Sequence, residues 1–167
     1  MSQPSADQTP LSNAAIARHV SLPFESLDPA TPIGQIVARR LREERLIWLT
    51  TVDEAGVPQP LPVTFLWDQT DATILTYSRA DRGRLADLER NANVALHFDV
   101  SGGDIIVITG IAAVSMQDPP SDQIAAWVEK YRELLARLGM SAQQSASSAS
   151  IPLRIRLLTL RYAPNPL

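Results

Sequence analysis

Few side chains in this sequence can do covalent or acid–base chemistry. The chain has no cysteine and two histidines, His19 and His97. Thiolate metal sites, iron–sulfur clusters, disulfides and cysteine nucleophiles are therefore excluded. His19 falls in a Ser-, Ala-, Gln- and Pro-rich stretch, and His97 falls within a strand pattern, on the side opposite Leu96 and Phe98. Metal-ligand spacings and the local signatures of a Ser-His-Asp arrangement are absent. Of 15 basic residues 14 are arginine, and Lys130 is the single lysine. If the chain is an enzyme, the difficult chemistry belongs to a cofactor.

The segment with most chemical content runs from Tyr77 to Leu88. A strand pattern ends in two hydroxyls, Tyr77 and Ser78, a loop follows with Arg79 and Arg82, and a short helix begins near Arg84. Hydroxyls, backbone N–H groups and guanidinium groups converging at a strand end suit a phosphate. Read from composition alone, the segment suits better a solvated loop whose arginines bind nothing specific.

Composition bounds the rest. With 167 residues, 45% of them apolar and 20% charged, the chain is one domain with a normal core. A net charge of −3 disfavours nucleic-acid binding, which needs a basic footprint. Apolar runs stay well short of the roughly 20 residues of a membrane span, and the first residues lack the pattern of a secretory signal. The expectation is a cytoplasmic protein with no nucleic-acid or membrane partner.

Periodicity predicts the elements that must position the arginine loop. Residues 1–25 read as a mobile tail, followed by a domain over 26–167. Thr31 and Pro32 open a helix with Ile33, Ile36, Val37 and Leu41 inward and Arg39, Arg40, Arg42 and Glu43 toward water. Strands are predicted over Leu46–Asp53, Val57–Asp68 and Thr73–Ser78, then over Val94–Val100, Asp104–Met116 and Leu153–Tyr162. Pro58, Pro60 and Pro62 alternate along the second strand, so one of its edges lacks a partner. A short helix is predicted over Arg84–Asn91. A longer one begins near Ser121, with the stripe Ile124, Val128, Tyr131, Leu135 and Leu138 and a Gly139 cap. Trp127 lies off that stripe, Gly110 marks a bend or bulge, and Ser141–Ser150 reads as a loop. Six mostly antiparallel strands with helices make a mainly β, closed or nearly closed barrel.

The runs Leu46–Val52, Gly56–Asp68, Ile74–Ser78, Arg84–Leu88 and Asn91–Leu96 follow one another in an order and spacing that resembles the pyridoxamine 5′-phosphate oxidase-like split β-barrel family. Within it, the chain is most similar to the branch of flavin and deazaflavin oxidoreductases assigned to coenzyme F420. The resemblance spans roughly residues 33–163. It implies a six-stranded, Greek-key-like split barrel that forms a homodimer, with the cofactor in a groove at the subunit interface.

On the family pattern, Tyr77, Ser78 and Arg84 hold the phosphate, Pro62, Val63, Thr64 and Phe65 lie along the ring system, and Thr50 and Thr51 stand nearby. Arg79 and Arg82 would flank a charged cofactor tail. The family more often has lysine at the Arg84 position; arginine keeps the charge and adds a planar fork. Asp87 replaces a usual Asn and Ala92 a usual Pro. No Arg or Lys lies between Leu46 and Ser78, which argues against pyridoxamine phosphate as substrate. It also favours F420 over FMN, which is the alternative. The resemblance thus implies hydride transfer to a small unsaturated organic substrate, with no catalytic side chain nameable. A non-catalytic flavin- or haem-binding protein stays open as another class.

Overall fold

The computed structural model describes residues 20–81, 83–100 and 103–164. Strand β1 (Val20–Pro23) and a short 3-10 turn lead to helix α1 (Pro32–Glu43). Strands β2 (Leu46–Val52), β3 (Pro58–Thr64), β4 (Leu66–Asp68) and β5 (Thr73–Ser78) follow, then helix α2 (Arg84–Arg90). Strands β6 (Asn93–His97) and β7 (Asp104–Val114), helices α3 (Ala125–Leu138) and α4 (Ala142–Ser148) and the long strand β8 (Ile151–Pro164) complete the chain.

The strands form one antiparallel sheet in the order β3-β2-β6-β7-β8-β5-β4, with β1 also paired to β8. Strands β3 and β4 are consecutive in the chain yet stand at opposite ends of that order. The chain therefore crosses from one edge of the sheet to the other at Phe65, curling the sheet into a split barrel. Inside lie Ile47, Leu49, Phe65, Ile74, Leu96, Ile106, Ile108, Leu153, Ile155 and Leu160, all fully buried, with Val37 and Leu41 of α1 packed against them. Each such side chain contributes about 1.5–3 kcal/mol on burial.

Local chemistry explains most boundaries. Thr31 Oγ1 accepts the Gly34 N–H at 3.1 Å with Pro32 at the first helical position, so α1 starts where expected. The register of β7 against β8 shifts between Thr109 and Gly110, and a Cβ on Gly110 would lie 2.7 Å from the Arg156 carbonyl oxygen. Gly139 caps α3 with φ at 65°.

Six expectations need correction. The stretch 20–25, expected in the tail, is held by β1 pairing with β8 and by Phe24, which is buried edge-on to Trp67; residues 1–19 lie outside the described residues. The second predicted strand is two strands, because Phe65 turns the chain into the core between β3 and β4. Eight strands, not six, are thus present among the described residues. Arg40 is 3% exposed rather than solvated: its Nη2 donates to the Asp99 carbonyl, its Nε lies 2.9 Å from Glu44 Oε1, and its guanidinium stands over the Phe98 ring. Trp127 and Tyr131, not the whole predicted stripe, are the buried residues of α3. The predicted loop at Ser141–Ser150 contains α4, opened by a capping box in which Ser141 and Gln144 exchange hydrogen bonds.

Candidate functional site

The site is a seam in the barrel. Strand β3 pairs with β2 from Pro58↔Val52 to Thr64↔Leu46, and its other edge faces β5. Proline has no N–H, so Pro58, Pro60 and Pro62 occupy the positions whose backbone groups point away from β2. That outer edge cannot donate to β5. The two strands meet only where Thr76 Oγ1 donates to the Thr64 carbonyl at 2.7 Å, and no ladder joins them among the described residues. The opening between them is a groove of about 250 Å³, lined by Leu46, Leu61, Pro62, Val63, Thr64, Tyr77, Ser78, Arg79 and Arg84. A second compartment of about 360 Å³ adjoins it across Leu61 and Arg84, walled by Thr51, Asp53, Gln59, Pro60, Gly83 and Asp87. Together they fall in the size range of small-molecule sites.

Most residues expected at the site meet here. Ser78 is buried, and its hydroxyl donates only a long 3.3 Å bond to the adjacent Arg79 carbonyl. Arg79 is clasped by Asp81 through two bonds of 2.9 Å, which raise its pKa above the ordinary value. Arg84 lies at the junction of the two compartments, at the first turn of α2. That helix is two turns long and has no side-chain cap, so anion recognition rests on the side chains. Ser78, Arg79 and Arg84 form a donor set that fits a phosphate, with the apolar Leu61–Val63 wall beside it for a planar ring.

Other expected residues sit differently. Tyr77 lines the groove, but its hydroxyl donates to the Pro119 carbonyl at 2.5 Å and its ring stands edge-on to Trp127. Burial, and secondarily the Asp118 charge, push that phenol up to about 12. Its hydroxyl is thus engaged by the loop before α3. The Phe65 side chain is in the core, not along the groove. Thr51 walls the second compartment, its hydroxyl 3.4 Å from Asp87 Oδ2. Thr50 points to the other face of β2, opposite Pro60 and Ala95, and lines neither compartment. Arg82 lies outside the described residues.

Leu46, Asp53, Gln59 and Leu61 line the site without having been singled out from the sequence, and Asp87, noted there as replacing a usual Asn, joins them. The signal was the β2–β3 hairpin register, which sets Leu46 against Thr64 and Thr51 against Gln59. Asp53 Oδ1 accepts the Ala55 and Val57 N–H groups and Oδ2 accepts Gln59 Nε2. The backbone bond from Val57 is the largest cause holding its carboxyl below the usual range. Asp87 accepts from Arg90 at 2.7 Å.

Arg154 of β8 pairs with carboxylates of its own chain. It binds both carboxylate oxygens of Asp118, together with Asp68 and Thr73, which raises its pKa. His97 stacks flat on Trp48, with centroids 6.0 Å apart, on the outer face of the sheet. A separate hollow of about 230 Å³ between α1, Phe24 and Trp67 is mostly apolar and has no cation among the described residues that line it. No three His, Asp or Glu side chains converge to hold a metal among the described residues. No helix there is long and apolar enough to cross a membrane.

A family model described as pyridoxamine 5′-phosphate oxidase matches residues 34–162. Among solved structures, General Stress Protein 26 from Bacillus anthracis aligns with a TM-score of 0.56 at 15% identity, covering 81% of this chain and 97% of that one. An FAD-binding protein from Mesorhizobium loti aligns at 0.53 and 14%, covering 87% and 98%. HupZ of Group A Streptococcus aligns at 0.51 and 18%, covering 77% and 95%. At these identities the likeness shows a shared fold. No protein of curated function matches the sequence at a significant level.

Proposed function

Because the chain belongs to the pyridoxamine 5′-phosphate oxidase-like split-barrel family, we propose that it is an oxidoreductase that binds coenzyme F420 in the β3–β5 seam. The observation that carries this reading is the convergence of Ser78, Arg79 and Arg84 beside an apolar wall, in a groove whose described lining includes no His, Asp or Glu. When bound, reduced F420 would supply a hydride for a small unsaturated organic molecule, with the balancing proton drawn from solvent. The protein's own share is orientation and exclusion of water. Arg84 and Ser78 would hold the phosphate and Pro62–Thr64 would lie along the ring, while Tyr77, tied to Pro119, closes the floor of the groove.

The site is completed by a second copy of the chain. Leu46 and Trp48, on the outer face of β2, are 51% and 37% exposed, an apolar patch at the groove's rim that a homodimer would cover. FMN is the second reading. It is favoured by the supply of cations at the phosphate end of the groove and the carboxylates beyond it.

Mass and absorbance identification of the cofactor that co-purifies from a host making both compounds tests the proposal. F420 is expected. FMN alone would replace it with the second reading, and recovery of neither, with no binding of either when added, would end both. Cofactor that binds but never turns over with quinones, enones or tetrapyrroles would make the chain a binding protein.

A further inference from the structure

The groove does not end at Arg84. It continues into the compartment walled by Thr51, Asp53, Gln59, Pro60, Gly83 and Asp87. A ligand with its ring along Pro62–Thr64 and its phosphate at Arg84 would send anything beyond the phosphate into that space. Its walls are the wrong polarity for an anionic extension. Asp53 is ionised, its oxygens already engaged by two backbone N–H groups and by Gln59. Asp87 presents a second carboxylate, bonded to Arg90 from outside the compartment. Arg84 is the only cation among the described residues that line it, and the phosphate already draws on that charge. The next cation along the groove, Arg79, is held by Asp81.

We propose that Asp53 and Asp87 are specificity residues that confine the groove to ligands whose negative charge ends at the first phosphate. This rests on the reading of the Ser78–Arg79–Arg84 cluster as a phosphate cradle, and it holds for either ring system. Carboxylates or a second phosphate placed beyond Arg84 meet like charge, which weakens binding. A deazaflavin's glutamate tail then bends out to solvent and adds no affinity.

Both substitutions that remove the charge keep the local bonds. In Asp53→Asn, the Asn oxygen still accepts from Ala55 and Val57, and the Gln59 amide can reverse to meet the new donor. In Asp87→Asn, the oxygen still accepts from Arg90 and the amide faces Thr51.

The test is a set of dissociation constants for the full chain, wild type and D53N/D87N. The two ligand series are FMN against FAD, and deazaflavin with one glutamate against deazaflavin with several. In the wild type, FMN is expected to bind at least about tenfold tighter than FAD, and lengthening the glutamate tail to leave affinity unchanged or weaker. The double variant is expected to bind the extended member of each series about three- to tenfold tighter, with the short members unchanged. Tighter wild-type binding of the extended ligands, or a double variant that shifts short and extended ligands equally, overturns the assignment. Absence of binding in both series refutes the phosphate cradle itself, and the assignment with it.

Discussion

Replacing Tyr131 by phenylalanine removes one oxygen atom and tests how the barrel is closed. The Tyr131 hydroxyl is fully buried. It accepts the Phe65 N–H at 2.7 Å and lies 2.7 Å from the Phe65 carbonyl and 2.9 Å from that of Arg45, to one of which it donates. Phe65 is where the chain leaves one sheet edge for the other, immediately after the residues of the groove wall. Phenylalanine keeps the ring, so no cavity opens. The cost is therefore polar. A buried N–H left without an acceptor costs about 1–3 kcal/mol, and the lost donated bond adds about 0.5–1.5. The sum of about 2–4 kcal/mol, divided by a urea m-value of about 2–3 kcal/mol/M for a chain this size, moves the midpoint down by about 1 M at unchanged m. Tyr162→Phe is the control. Its hydroxyl donates to Asp104 at 2.6 Å near the surface, so a shift under about 1 kcal/mol is expected. A Tyr131→Phe midpoint within about 0.3 M of wild type, or no larger a shift than Tyr162→Phe, would show that the crossing at Phe65 is held by something else.

Three further outcomes are expected. Arg84→Ala should weaken cofactor binding by about 1–3 kcal/mol, read by calorimetry; an unchanged constant would move the phosphate elsewhere. Arg154→Met should destabilise the fold by about 1–3 kcal/mol at pH 7, because Asp118 and Asp68 lose their shared partner. The Asp118 carboxyl, held below its usual range chiefly by the hydrogen bonds from Arg154, contributes stability above about pH 4. That contribution is lost as pH falls through the depressed folded value, so the gap between variant and wild type should narrow in acid melts. Lys130 Nζ is buried 3.9 Å above the Phe65 ring with no hydrogen-bond partner, and burial pushes its pKa down from 10.5 to about 8. The unfolded chain then binds the extra proton between those values, so wild-type stability rises with pH from about 8 to 10, and Lys130→Met should be the more stable protein at pH 7 and lack that rise. Melting temperatures across pH 6–10 check this; equal slopes would refute it.

What could be read from the sequence is what local chemistry dictates. Thr31–Pro32 starts a helix, Gly139 ends one, and Gly110 sits where another backbone passes at contact distance. The alternate prolines announced an unpartnered edge, and that edge bounds the groove. The arginine loop was visible because three guanidinium groups in six residues stand out. What stayed hidden depends on pairings between distant segments. Phe65 reads as one more strand residue until Tyr131, 66 positions later, is seen to hold its backbone. Tyr77 looks like a ligand until its hydroxyl meets Pro119. Arg40 reads as surface until Phe98 and Asp99 arrive beside it. The capping box at Ser141 was legible, but the surrounding run of serine and alanine masked it.

The three prolines of β3 also bear on how copies of this chain meet one another. A free strand edge ordinarily offers alternating donors and acceptors, and a second molecule can zip onto it to begin a ribbon. Here the outward-facing positions at 58, 60 and 62 have carbonyls without amides. An incoming strand would find nothing to satisfy its own carbonyls along that stretch, leaving half the rungs of the new ladder unmade. The opening that admits a ligand is in this way closed to polymerisation, and a barrel that must stay split for function need not aggregate through its split.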